Sequence, residues 1–75
     1  MIRVQVGNNL DRKTVIIDSN VTLRNVLEEN GVDYSRFQMN LDGAMLRPGD
    51  FDKTFADFGI TEKCFLLAVQ KADNA

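Results

Sequence analysis

Histidine is absent from the 75-residue chain, and cysteine and proline each occur once. Without histidine, general acid–base work falls to carboxylates, lysine or Tyr34. A lone Cys64 allows no intramolecular disulfide and, with no histidine beside it, no zinc ligand set. Positive charge is sparse and scattered. Lys and Arg number 9 against 11 Asp and Glu, leaving a net charge of −2, and no basic block offers the phosphate neutralisation that nucleic-acid binding requires. No apolar run approaches the roughly 20 residues needed to span a bilayer. Met1 to Val6 alternates instead of forming the continuous apolar stretch of a signal segment. The expected setting is reducing and cytoplasmic, with neither nucleic acid nor membrane as partner.

What is present suits one small domain. A hydrophobic content of 44% with 27% charged residues is ordinary for a globule. A chain of this length buries only about 60% of its unfolded surface, so a net stability of about 3–5 kcal/mol is expected without staples.

Ile2, Val4 and Val6 alternate with Arg3 and Gln5, the period of a half-buried strand. Turn-forming Gly7-Asn8-Asn9-Leu10-Asp11 separates this run from β-branched Lys13 to Asp18, which reads as a hairpin. Thr22 is placed to N-cap a helix whose Leu23, Val26 and Leu27 form one apolar stripe, with Glu28 and Glu29 on the solvated side. Asn30-Gly31 supplies a left-handed stop. Phe37 to Asp42 alternates again, directing Phe37, Met39 and Leu41 inward. Asp42-Gly43 predicts a tight hairpin into Ala44–Arg47, and Pro48-Gly49-Asp50 ends that strand. Phe55 and Phe58 suggest a helical turn near 52–58, stopped by Gly59. Cys64 to Val69 is apolar on both faces, as expected for a strand with neighbours on each side. Residues 1–71 thus form a single α+β domain, a mixed four- to five-stranded sheet packed on one helix, and residues 72–75 form a polar tail.

Several short motifs in register give this order a resemblance. Lys13-Thr14, Thr22 with Asn25-Val26, Leu41-Asp42-Gly43, Leu46, Asp57-Phe58-Gly59-Ile60 and Leu66 are similar to the matching segments of ubiquitin. Over roughly residues 1–70 the chain resembles the ubiquitin-like β-grasp family. The resemblance implies a non-catalytic domain that binds another protein through the open sheet face, where Leu10, Leu67 and Val69 retain part of an apolar patch and Asn40 replaces its central isoleucine, or through a loop surface or the exposed edge of a strand. Ala72-Asp73-Asn74-Ala75 departs from the Gly-Gly end that conjugation and sulfur-carrier members require, so covalent attachment is not expected. About three extra residues fall around Pro48 to Lys53, and ubiquitin's local surface does not transfer there.

No residue pattern argues for an enzyme or a cofactor. Asp50 and Asp52 fall far short of the 6–8 oxygen donors of a calcium site and read as solvated turn residues. Cys64 lies in an apolar strand with no activating base and reads as structural. Asp57-Phe58-Gly59 spells the kinase metal triplet, but 75 residues leave no room for that fold. An apolar surplus remains, and with Asn40 it defines the expected protein-binding residues: Leu10, Phe37, Asn40, Met45, Phe51, Leu67 and Val69. An alternative is an engineered or self-associating scaffold, a designed binder or homodimer whose apolar surface is built from Phe37, Met39, Met45 and Phe51.

Overall fold

The computed structural model describes residues 1–8 and 10–69. Five strands, β1 (Ile2–Asn8), β2 (Arg12–Ile17), β3 (Gln38–Leu41), β4 (Ala44–Met45) and β5 (Lys63–Val69), form one sheet in the order β2-β1-β5-β3-β4. The helix α1 (Leu23–Glu29) is followed later in the chain by two 3-10 turns, Pro48–Asp52 and Ala56–Phe58. β1 and β5 run parallel in the middle of the sheet, and the other pairings are antiparallel.

Alternation decides the faces. Ile2, Val4 and Val6 of β1, Cys64, Leu66 and Ala68 of β5, and Met39 and Leu41 of β3 all point to one side and are buried. Leu23, Val26 and Leu27 of α1 complete that core. The helix is only 7 residues long, too short to persist alone, so its apolar stripe against the sheet holds it. The Thr22 hydroxyl accepts the Asn25 N–H at 3.1 Å and starts it. Gly31, with φ 70°, lets the Val32 N–H reach back to the Leu27 carbonyl and stops it.

The β3–β4 hairpin turns on Asp42 and Gly43, with φ 51° and 87°. Both residues are left-handed, as the tightest two-residue hairpin requires. The Asp42 N–H donates to the Phe65 carbonyl, and its Oδ1 accepts the Phe65 N–H, each at 2.8 Å. The turn is thereby fastened to β5.

The helical segment expected near 52–58 is realised as two 3-10 turns. Asp50 accepts the Arg47 N–H at 3.0 Å to close the first. Thr54 and Asp57 cap one another reciprocally across the second, at 3.0 and 3.1 Å. Phe55 is fully buried between them. Phe51, expected on a binding surface, is a core residue: it is 8% exposed, with its ring 4.9 Å from that of Tyr34. Met39 is 1% exposed on the inner sheet face. The apolar surface expected from Phe37, Met39, Met45 and Phe51 therefore does not form, because Met39 and Phe51 face the helix side while Met45 lies on the far face of the sheet. The tail at 72–75 falls outside the described residues.

Candidate functional site

The inner face of the sheet carries the helix, whereas the outer face carries no element among the described residues. Its composition follows from strand parity. Arg3, Gln5 and Gly7 of β1 alternate with the buried valines, and they pair with Lys63, Phe65 and Leu67 of β5. Asn40 of β3 stands opposite Leu67 on one side and Met45 of β4 on the other. Val69 pairs with Gln38 at the end of the sheet.

This face has an apolar strip with cations beside it. Phe65 is 41% exposed and Met45 71%, while Leu67 and Val69 are half-buried. Gly7, with φ 146°, leaves no side chain between Arg12 and β5. The Arg12 guanidinium reaches across that gap to lie 6.0 Å from the Phe65 ring centroid, close enough for a cation–π attraction. Arg3 and Lys63 are exposed on the same face. On the helix side Glu28 and Glu29 are exposed along α1.

One polar atom in the strip is anomalous. Asn40 Oδ1 is closed off from solvent and accepts no hydrogen bond. An unpaired buried acceptor costs about 1–3 kcal/mol, and here it replaces the aliphatic group that its neighbours Leu67 and Met45 would pack against.

The residues expected to bind a protein separate into three places. Asn40, Met45, Leu67 and Val69 share the outer face. Leu10, 97% exposed at the β1–β2 turn, and Phe37, 41% exposed ahead of β3, line a groove of about 760 Å³ at the end of the helix–sheet sandwich. Val6, Val32 and Ala68 form part of its wall. Phe51 belongs to the core. Sequence reasoning did not find Arg3, Arg12 and Lys63 on the same face as Phe65 and Leu67. Their alternation with buried residues was legible, but the β1–β5 register that joins them was not.

The titratable groups have structural employment. Burial pushes the Cys64 thiol up to about 11, with Asp42 adding to the effect, so it is an inert core group at neutral pH. Arg24 donates to Asp52 at 2.8 Å and to the Tyr34 hydroxyl at 2.9 Å, and its pKa is raised by those bonds. Tyr34 in turn donates to Glu28 at 2.8 Å, which raises the phenol's pKa. The Ser35 hydroxyl lowers the pKa of Asp33, and the Arg47 N–H followed by Lys53 lowers that of Asp50. Asp50 and Asp52 are thus committed to a turn and to Arg24. Among the described residues no group of three or more His, Cys, Asp or Glu is gathered to hold a metal ion.

No protein-family model matches the chain, and no curated protein matches it. Solved structures do. A ubiquitin-like protein from Trypanosoma brucei is 26% identical, with 95% of each chain covered and a TM-score of 0.71. The ubiquitin-like domain of an Arabidopsis thaliana protein superposes over 99% of this chain and 81% of its own, with 23% identity and a TM-score of 0.72.

Proposed function

Because the chain has the ubiquitin-like β-grasp fold, we propose that it is a non-catalytic, non-conjugated interaction module that holds another protein on its outer sheet face. The observation carrying this reading is the uncovered strip of Phe65, Leu67, Val69 and Met45 beside Arg3, Arg12 and Lys63. Exposed Phe and Met in one patch are the side chains that interface cores favour. The surrounding cations select a partner segment that presents an apolar stripe flanked by carboxylates, and they speed its encounter. The reducing cytoplasm suits a domain whose thiol is shut in the core.

The test is quantitative retention of binding partners on immobilised domain. Proteins held by the wild type should be lost with Leu67→Ser and with Lys63→Glu, yet kept with Glu29→Ser on the helix side. Retention that ignores both sheet-face changes, or that disappears equally with the helix-side change, defeats the assignment. Raising salt from about 50 to 300 mM should weaken binding, because exposed charges are screened within a Debye length.

A further inference from the structure

The sheet ends on one side in β2, whose outer edge no strand covers among the described residues. Two hydrogen bonds fix which backbone groups lie along that edge. The Asn8 N–H donates to the Asp11 carbonyl, and the Arg3 N–H donates to Glu62 on the β5 side. In the β1–β2 register, where Ile2 faces Ile17 and Gly7 faces Arg12, Lys13, Val15 and Ile17 therefore turn their amides to β1. Arg12, Thr14 and Ile16 turn theirs outward. The side chains along the strand suit pairing as well: Thr14-Val15-Ile16-Ile17 is an unbroken β-branched run, and Ile16 is 63% exposed. An open edge of that composition is a template for another strand.

The charges at its ends identify which strand. Arg12 stands at the start of β2, and Asp18 follows its last residue. Among the described residues neither is in an ion pair. Antiparallel alignment with a second β2 about a two-fold axis at Val15 sets Arg12 opposite the partner's Asp18, twice over. The same register places Thr14 opposite Ile16 and Val15 opposite its own copy. It also brings the outward N–H and C=O groups of Thr14 and Ile16 into hydrogen-bonded pairs. Shifting the register by two residues in either direction keeps the backbone pairing but separates Arg12 from Asp18. The opposite edge, β4, has only 2 residues and offers no comparable run.

We propose that two copies of this chain associate edge to edge through β2 in that register, forming a continuous ten-stranded sheet. The interface shares only Arg12 with the outer face assigned to a heterologous partner, where that guanidinium lies 6.0 Å from the Phe65 ring centroid. It leaves Phe65, Leu67 and Met45 uncovered in both copies. The contact is small, so the dimer is concentration-dependent, and opposite-charge pairs set its register.

Sedimentation velocity from low micromolar to about 1 mM tests this on the wild type and on Arg12→Glu and Asp18→Lys. The wild type should climb toward dimer, and each variant should raise the dimer dissociation constant roughly tenfold or more, since an attraction becomes a repulsion at both symmetric positions. An equimolar mixture of the two variants should recover association. Glu at 12 then meets Lys at 18, while Arg12 of the other chain meets the unchanged Asp18. A wild type that stays monomeric to 1 mM, variants that dimerise undiminished, or a mixture that fails to recover each overturns the proposal. Amide exchange on the wild type gives a readout free of folding defects. Thr14 and Ile16 should gain protection with concentration, whereas Lys13 and Val15, already bonded to β1, should not, and the absence of that contrast also overturns it.

Discussion

Replacing Asn40 by isoleucine should make the domain more stable, and the size of the gain follows from its surroundings. Asn40 is flanked on the sheet by Leu67 and Met45, and its Oδ1 is buried without a donor. Removing an unpaired buried acceptor recovers about 1–3 kcal/mol, and a β-branched residue gains up to about 1 kcal/mol over asparagine in a strand. The position is only half-buried, which argues for the lower part of that range, a net gain of about 1–2 kcal/mol for Asn40→Ile. In a domain whose whole stability is about 3–5 kcal/mol, that is a large fraction. It corresponds to a rise in Tm of roughly 4–16 °C for this size of chain. Urea unfolding followed by far-ultraviolet circular dichroism should show a higher midpoint with an unchanged slope. Asn40→Asp is the informative counterpart. It retains the shape but puts charge on an oxygen closed off from solvent, so it should destabilise at neutral pH and recover part of the loss as the carboxyl protonates at low pH. An Asn40→Ile protein no more stable than the wild type refutes the reasoning and implies that the oxygen is hydrogen-bonded in solution.

Phe51→Ala should cost about 3–5 kcal/mol, enough to leave the domain largely unfolded, whereas Met45→Ser should change stability by less than about 0.5 kcal/mol; urea titration of both separates core from surface. Gly7→Ala should lower the melting temperature, because φ there is 146° and an added Cβ collides with the Asp11 carbonyl. Gly43→Ala, with φ 87° but open space around it, should lower it less. The Cys64 thiol has its folded pKa raised from 9.0 to about 11. Its contribution to stability is complete below pH 9 and is lost as pH climbs through about 11, so alkylation at pH 8 should be slow in the native protein and fast in urea. Equal rates in the two states would show that the thiol is not enclosed.

Much of this architecture could be read directly from residue order. The alternation of Ile2, Val4 and Val6 and that of Met39 and Leu41 marked inward-facing positions, and all of these are buried, whereas Phe37, read as inward by the same alternation, lies ahead of β3 and is 41% exposed. Thr22 and Asn30-Gly31 bracketed the helix to within a residue, because capping is local chemistry. Asp42-Gly43 announced its turn for the same reason. Phe51 was the clear misreading. It sits in a 3-10 turn where no period marks an inward position, and its burial depends on a ring, that of Tyr34, 17 residues earlier in the sequence. The apolar character of β5 suggested a strand with neighbours on each side, and it lies between β1 and β3, but pattern alone did not tell which of its apolar residues stay on the outer face. Asn40 looked like an ordinary outward polar residue, and only the placement of its neighbours isolates its oxygen.

The middle of the sheet joins the first strand, β1, to the distant strand β5. Arg3 is registered with Lys63, and among the described residues β5 lies between β3 and β1 and pairs with both. During synthesis, therefore, the β1–β2 hairpin, the helix and the β3–β4 hairpin emerge as separate pieces, and none of them closes the core. A ribosome-bound chain lacking β5 exposes Ile2, Val4, Val6, Met39 and Leu41 together with two unpaired strand flanks, a state open to proteases and to aggregation. The closing pairing spans about 60 residues, and contacts that distant slow folding. The arrival of β5 decides in one step whether the remainder becomes a domain.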